Sequence, residues 1–164
     1  MLKKILISLL IVFSLFSLTA CSQAAEKITE RIIEDNASGD VDVDLEDGSV
    51  NITDGDGNQF AAGDSIPLPD NWPADIPTYD GNLTTVSIDK NGGSVLASWR
   101  TEDSLSDAYE SYNAALESAG FALTSDTTQT DYRMTTYESS TYSVLLSISF
   151  VDGVTTVSVI ADTL

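Results

Sequence analysis

Residues 141–151 read TYSVLLSISFV, residues 154–161 read VTTVSVIA, and Asp152-Gly153 stands between them. In the first run Val144, Leu146, Ile148 and Phe150 take every second place, opposed by Ser143, Ser147 and Ser149. A period of two is the spacing of a strand with one buried face and one wet face. Asp-Gly is a two-residue hairpin signal, because the favoured turn holds both residues at positive φ. The stretch therefore predicts a β-hairpin and, around it, an antiparallel sheet.

Upstream, residues 121–127 and 131–138 read as two further strands, with Ser139-Ser140 as a turn into the hairpin. Before them lies one helix. Leu105, Ala108, Tyr109, Tyr112, Ala115, Leu116 and Ala119 fall on a single stripe at helical spacing. Thr101 or Asp103 is the expected N-cap, Glu102 and Asp103 suit the positive end of the dipole, and Gly120 stands where a left-handed C-terminal cap belongs. Residues 85–90 and a second strand lined by Val95, Ala97 and Trp99 precede the helix, joined through Asn91-Gly92-Gly93. The order β-β-α-β-β-β predicts an α+β fold: an antiparallel sheet of about five strands with one helix packed on one face. The opposite face carries Ser and Thr and is expected to be wet.

The remaining chain divides by composition. All four prolines lie between Pro67 and Pro77, which forbids helix and favours an extended strap leading into a main domain at 67–164. In 40–66, Val41, Val43 and Leu45 alternate with Asp40, Asp42, Asp44 and Glu46, and Val50 and Ile52 alternate with Asn51 and Thr53. Asp47-Gly48 and Asp54-Gly55-Asp56-Gly57 supply turns. This acidic stretch predicts a small β-hairpin unit, too short to bury a core by itself. Residues 21–39 read as a tether with a short helix marked by Ile28, Ile32 and Ile33.

The amino terminus carries an address. Lys3 and Lys4 are followed by an apolar run from Ile5 to Leu18, shorter than the roughly 20 residues a spanning helix needs. Leu18-Thr19-Ala20-Cys21 closes it. These residues resemble the signal peptide and lipobox of bacterial lipoproteins. The resemblance implies cleavage after residue 20 and a diacylglyceryl lipid on Cys21. The protein is then expected to be extracytoplasmic and membrane-anchored, on the outer face of the cell membrane, or at the outer membrane if the host has one. Two or three acyl chains hold a protein stably where one does not.

From about Leu68 the chain is also similar to small bacterial lipoproteins of uncharacterised function. The residues concerned are the strap Trp72-Pro73-Ala74-Asp75-Ile76-Pro77-Thr78-Tyr79-Asp80-Gly81 and the helix end Ala119-Gly120-Phe121. That likeness implies a domain type and no activity.

Charge and composition exclude several classes of function. The chain has 26 acidic and 7 basic residues, a formal charge of −19. Loss of residues 1–20 removes two lysines and no acid, leaving five basic residues and a charge of −21. Nucleic acid is excluded as a partner, since no basic patch exists to displace counterions from phosphates. There is no histidine, and Cys21 is the sole cysteine. Ser-His-Asp and Cys-His catalysis are therefore impossible, and the commonest transition-metal ligands are missing. A hydrolase would have to work through carboxylates alone, and no pair stands out. The expectation is no enzyme, with a carboxylate-based hydrolase as the remote alternative.

Two sets of candidate residues remain. Asp54, Asp56 and Asn58 place oxygen ligands at alternating positions, as Ca2+ loops do. Gln59 and Ser65 stand where an EF-hand needs Gly and Glu, so the full loop is absent. Asp-Gly as a plain turn is the competing reading. Trp72, Tyr137 and Tyr142 are a candidate aromatic binding surface, while Trp99, Tyr109 and Tyr112 read as core. The functional expectation is a lipid-anchored envelope lipoprotein serving as a binding or interaction module for an envelope protein or small ligand. A weakly calcium-dependent or structural envelope protein is the alternative.

Overall fold

The hairpin expected over residues 141–161 is present and lies well inside the sheet. In the computed structural model, which describes residues 41–44 as backbone and residues 48–164 in full, Tyr142–Val151 pairs antiparallel with Val154–Thr163. Asp152 and Gly153 both take positive φ, 51° and 84°, as the tight turn requires. In chain order the strands are β1 Val41–Asp44, β2 Val50–Asp54, β3 Gln59–Ala62, β4 Asn82–Asp89, β5 Ser94–Thr101, β6 Ala122–Thr128, β7 Tyr132–Glu138, β8 Tyr142–Val151 and β9 Val154–Thr163. The helix α1, Leu105–Ser118, lies between β5 and β6.

These strands form one sheet in the order β1-β2-β3-β4-β5-β9-β8-β7-β6, every neighbour antiparallel. This corrects the expected fold class. The molecule is mostly β, a single nine-stranded sheet among the described residues, and not an α+β sheet of about five strands preceded by a separate hairpin unit. Two pairings account for the difference. β9 inserts beside β5 over eight residue pairs, from Ser94↔Asp162 to Thr101↔Thr155. β3 pairs along β4 from Gln59↔Ile88 to Ala62↔Thr85, so the acidic segment extends the main sheet. Open strand edges seek partners, because their backbone N–H and C=O groups are unpaired. Side-chain periodicity shows that a strand exists; it does not show which strand lies beside it.

The helix is the crossover that makes this order geometrically possible. From β5 the chain must reach β6 at the far edge, four strand spacings away, or about 19 Å. A 14-residue helix is about 21 Å long. α1 packs over β8, β7 and β9 on the way. Ser104, not Thr101 or Asp103, is its N-cap: its hydroxyl accepts from the Asp107 N–H at 3.1 Å. At the other end Gly120 takes φ 87° and lets Phe121 N–H return to the Leu116 carbonyl at 3.0 Å.

One face of the sheet is closed. Leu83, Val86, Val95, Ala97, Trp99, Val144, Leu146, Ile148, Val157 and Val159 are buried there with Ala108, Tyr112 and Leu116 of the helix. The proline-rich strap covers the part the helix does not reach. Ile66 N–H bonds the Leu83 carbonyl, and Ile76 and Tyr79 are buried. Trp72 packs edge-on against Trp99 at 6.4 Å, and Trp99 in turn meets Tyr112 at 6.3 Å. The Tyr112 hydroxyl donates to the Pro77 carbonyl, tying strap to helix.

Candidate functional site

Cys21, the expected lipid attachment site, and the tether at 21–39 lie outside the described residues.

The acidic turn is described. Asp54 ends β2, and its carboxylate is occupied by its own loop. Oδ1 accepts from Asp56 N–H at 3.1 Å and Asn58 N–H at 2.8 Å, and Oδ2 accepts from the Asn58 amide at 2.8 Å. These bonds, the Asn58 amide first, hold the Asp54 carboxyl below the usual carboxylate range. The Asn58 side-chain oxygen accepts from Lys90 N–H at 2.9 Å, which ties this loop to the β4–β5 turn. Asp54 and Asn58 thus meet, but as an Asx-type turn with their oxygens committed to N–H donors. Among the described residues, no group of three or more acidic or cysteine side chains could hold a metal ion.

The three aromatic candidates do not form one surface. Trp72 is half-buried in the strap, with Nε1–H donating to the Ile76 carbonyl at 3.0 Å. Tyr137 is fully buried in β7 beneath the helix, its hydroxyl donating to the Asn113 side-chain oxygen at 2.7 Å. Tyr142 is half-buried at the start of β8 against the core.

Among the described residues, the fold shifts the acidity of three carboxyls. Asp54, Asp103 and Asp126 are all lowered, by bonds from Asn58, Tyr79 and Arg133 respectively. A cleft of about 540 Å³ opens between Ile66–Asn71 of the strap and strands β2–β4; its lining mixes Ala61, Val86 and Leu68 with Asn51, Gln59 and Lys90.

The larger feature was not singled out by any motif. On the face opposite the helix, the registers align cross-strand rows of side chains. One row runs Ser125, Thr136, Leu145, Ile160, Leu96, Ser87, Phe60, Ile52. The next runs Thr127, Met134, Ser147, Ser158, Ser98, Thr85, Ala62, Val50. None of these residues is buried and none is charged. Ser98 and Ser158 share a hydrogen bond at 2.9 Å across the β5–β9 pair. Charged residues appear only in the flanking rows, as Glu138, Asp162 and Asp89 on one side and Arg100 on the other. In a chain with a formal charge of −19, two adjacent rows across eight strands without a charge are a marked depletion.

The face ends at β6, the outer strand, all seven residues of which are exposed. Its one charge, Asp126, is held by Arg133 of β7 through Nε at 3.2 Å and Nη2 at 2.6 Å. The Arg133 guanidinium also lies 3.2 Å from the centre of the Tyr109 ring, so it links edge strand, sheet and helix.

No family model, no curated protein and no solved structure matches this chain. Among the described residues, no helix is long and apolar enough to cross a membrane.

Proposed function

We propose that this protein is a lipid-anchored extracytoplasmic interaction module, with Cys21 as the anchor and the uncovered sheet face as the surface that receives a partner. The observation that carries the contact surface is the charge-free pair of rows. Interface centres are depleted of charge relative to the rest of a protein surface, while their rims are polar. Here Leu145, Ile160 and Leu96 sit mid-row, with Ser and Thr beside them and acids at the margin. The acidic remainder keeps the domain soluble and repels it from anionic surfaces. Anchoring confines module and partner to one surface, which raises their effective concentration without any new contact. The partner is an envelope protein.

The test is site-specific photocrosslinking in intact cells. A photoreactive side chain at Ser147, mid-row on the open face, should capture one dominant partner. The same group at exposed Ser111 on the outer side of the helix should not. Equal capture at both sites, or none at Ser147, removes the contact surface. Cys21→Ala should release the protein from the membrane fraction; retention there removes the anchor.

A further inference from the structure

Resting on the interaction-module reading, we propose that the β6 edge binds its partner by strand addition, and that the added strand is an extended, net-basic segment of another protein. The geometry comes first. β6 closes one side of the sheet, and β7 is its sole strand neighbour among the described residues. Half of its backbone N–H and C=O groups therefore point away from the sheet with no strand to receive them. Such an edge is the ready template for an extended peptide, with the main chain giving affinity and alternate side chains giving selectivity.

Proteins usually blunt a free edge with lysine, proline, an inward charge or a very short strand. β6 reads ALTSDTT over seven residues and contains neither lysine nor proline. Its one charge is neutralised within the sheet by Arg133. Two such devices are present: Asp126, opposite buried Thr135 on the helix side and neutralised by Arg133, and a single register shift between Leu123 and Ser125, beside which the Thr124 hydroxyl donates to the Thr136 carbonyl at 3.1 Å. The edge is long, exposed and left able to pair.

Charge selects the occupant. Exposed Glu138 stands across from Ala122, Asp131 lies in the β6–β7 turn, and the whole chain carries −19. A second copy would bring the same negative charge to the edge. A basic strand would bring the opposite charge, and the field of the whole domain would speed its approach.

The experiment uses the full mature chain, purified from membranes in neutral detergent, with hydrogen exchange followed at the β6 amides. Three capped peptides of about ten residues are added at about 1 mM: alternating valine and lysine, alternating valine and glutamate, and the valine–lysine peptide N-methylated at every second residue. Strand addition predicts that the valine–lysine peptide slows the outward amides within 122–128 by about tenfold or more, and that the other two do not. It also predicts that Thr127→Lys, an exposed change, weakens this protection while leaving the melting temperature unchanged. No slowing with the valine–lysine peptide overturns the proposal. So does equal slowing with the N-methylated peptide, which would mean binding by charge alone. Protection that grows with protein concentration and needs no peptide overturns it too, in favour of pairing between copies. A negative result here leaves the Ser147 crosslinking outcome standing, so the two readings fail separately.

Discussion

The two faces of this sheet are built from the same strands, one residue out of step, and they have opposite fates. On β8, Val144, Leu146 and Ile148 are buried under helix and strap, while Leu145, Ser147 and Ser149, which alternate with them, stay half-exposed. On β5 the same holds for Val95, Ala97 and Trp99 against Leu96 and Ser98. The closed face carries the stability: aromatic rings in contact, aliphatic side chains with almost no exposure, and strap and helix tied by the Tyr112–Pro77 bond. The open face holds leucine, isoleucine and methionine among serines and threonines, and keeps charge at its rim. Apolar residues on a wet face add little to folding, and under the proposed function they form the centre of the contact.

Substitutions on the two faces should differ in cost. Trp99→Ala should have the largest effect, about 3–5 kcal/mol lost in urea unfolding, because it empties the centre of the aromatic cluster. Leu146→Ala should cost about 2–4 kcal/mol, whereas Leu145→Ala, one residue along, should cost less than about 1 kcal/mol. Equal losses for the two leucines would mean that the open face is covered. Ser104→Ala should cost about 1 kcal/mol by removing the helix cap, while Ser104→Thr, which keeps the hydroxyl, should retain most of it.

The pH dependence sharpens the contrast further. Burial and the bond to the Asp103 carboxylate push Tyr79 up to about 12. The unfolded chain loses this proton near pH 10 and the folded chain near 12, so the stability linked to Tyr79 is full below pH 10 and falls as pH rises towards 12. Tyr79→Phe should flatten that fall in alkaline melts. The smallest effect is at the edge. Asp126 is held below the usual carboxylate range by Arg133, so its contribution is present above about pH 4 and lost as pH falls through its lowered value. As an exposed pair it should contribute below about 1 kcal/mol, and Asp126→Asn should change acid melts only slightly.

Much of the local structure was legible in the residues, and the assembly was not. The β8–β9 hairpin showed itself in period two and Asp152-Gly153, and the helix in its stripe and Gly120. The helix start was misplaced although its signal was present: Ser104 directly precedes Leu105, with Asp107 three residues on, a capping pattern hidden among other polar residues. The nine-strand count was missed because pairing is a backbone relation. Nothing in Gln59-Phe60-Ala61-Ala62 says that it will lie along β4, and β6 has no buried position to give it a pattern. Tyr137 and Tyr142 look alike in sequence, yet one faces Asn113 beneath the helix and the other sits half-exposed at the start of β8. The face opposite the helix was expected to be wet, but its charge-free rows exist only once eight strands are set in register.

The most direct test of the central claim is affinity capture after crosslinking of intact cells that express tagged wild type, Leu145→Glu or Ser111→Glu. Both variants add one negative charge at a non-buried site, the first in the middle of the charge-free face and the second on the outer side of the helix. The dominant partner should be lost with Leu145→Glu and kept with Ser111→Glu, while both variants melt near the wild-type temperature. Retention of the partner by Leu145→Glu, with that variant folded, would contradict that claim.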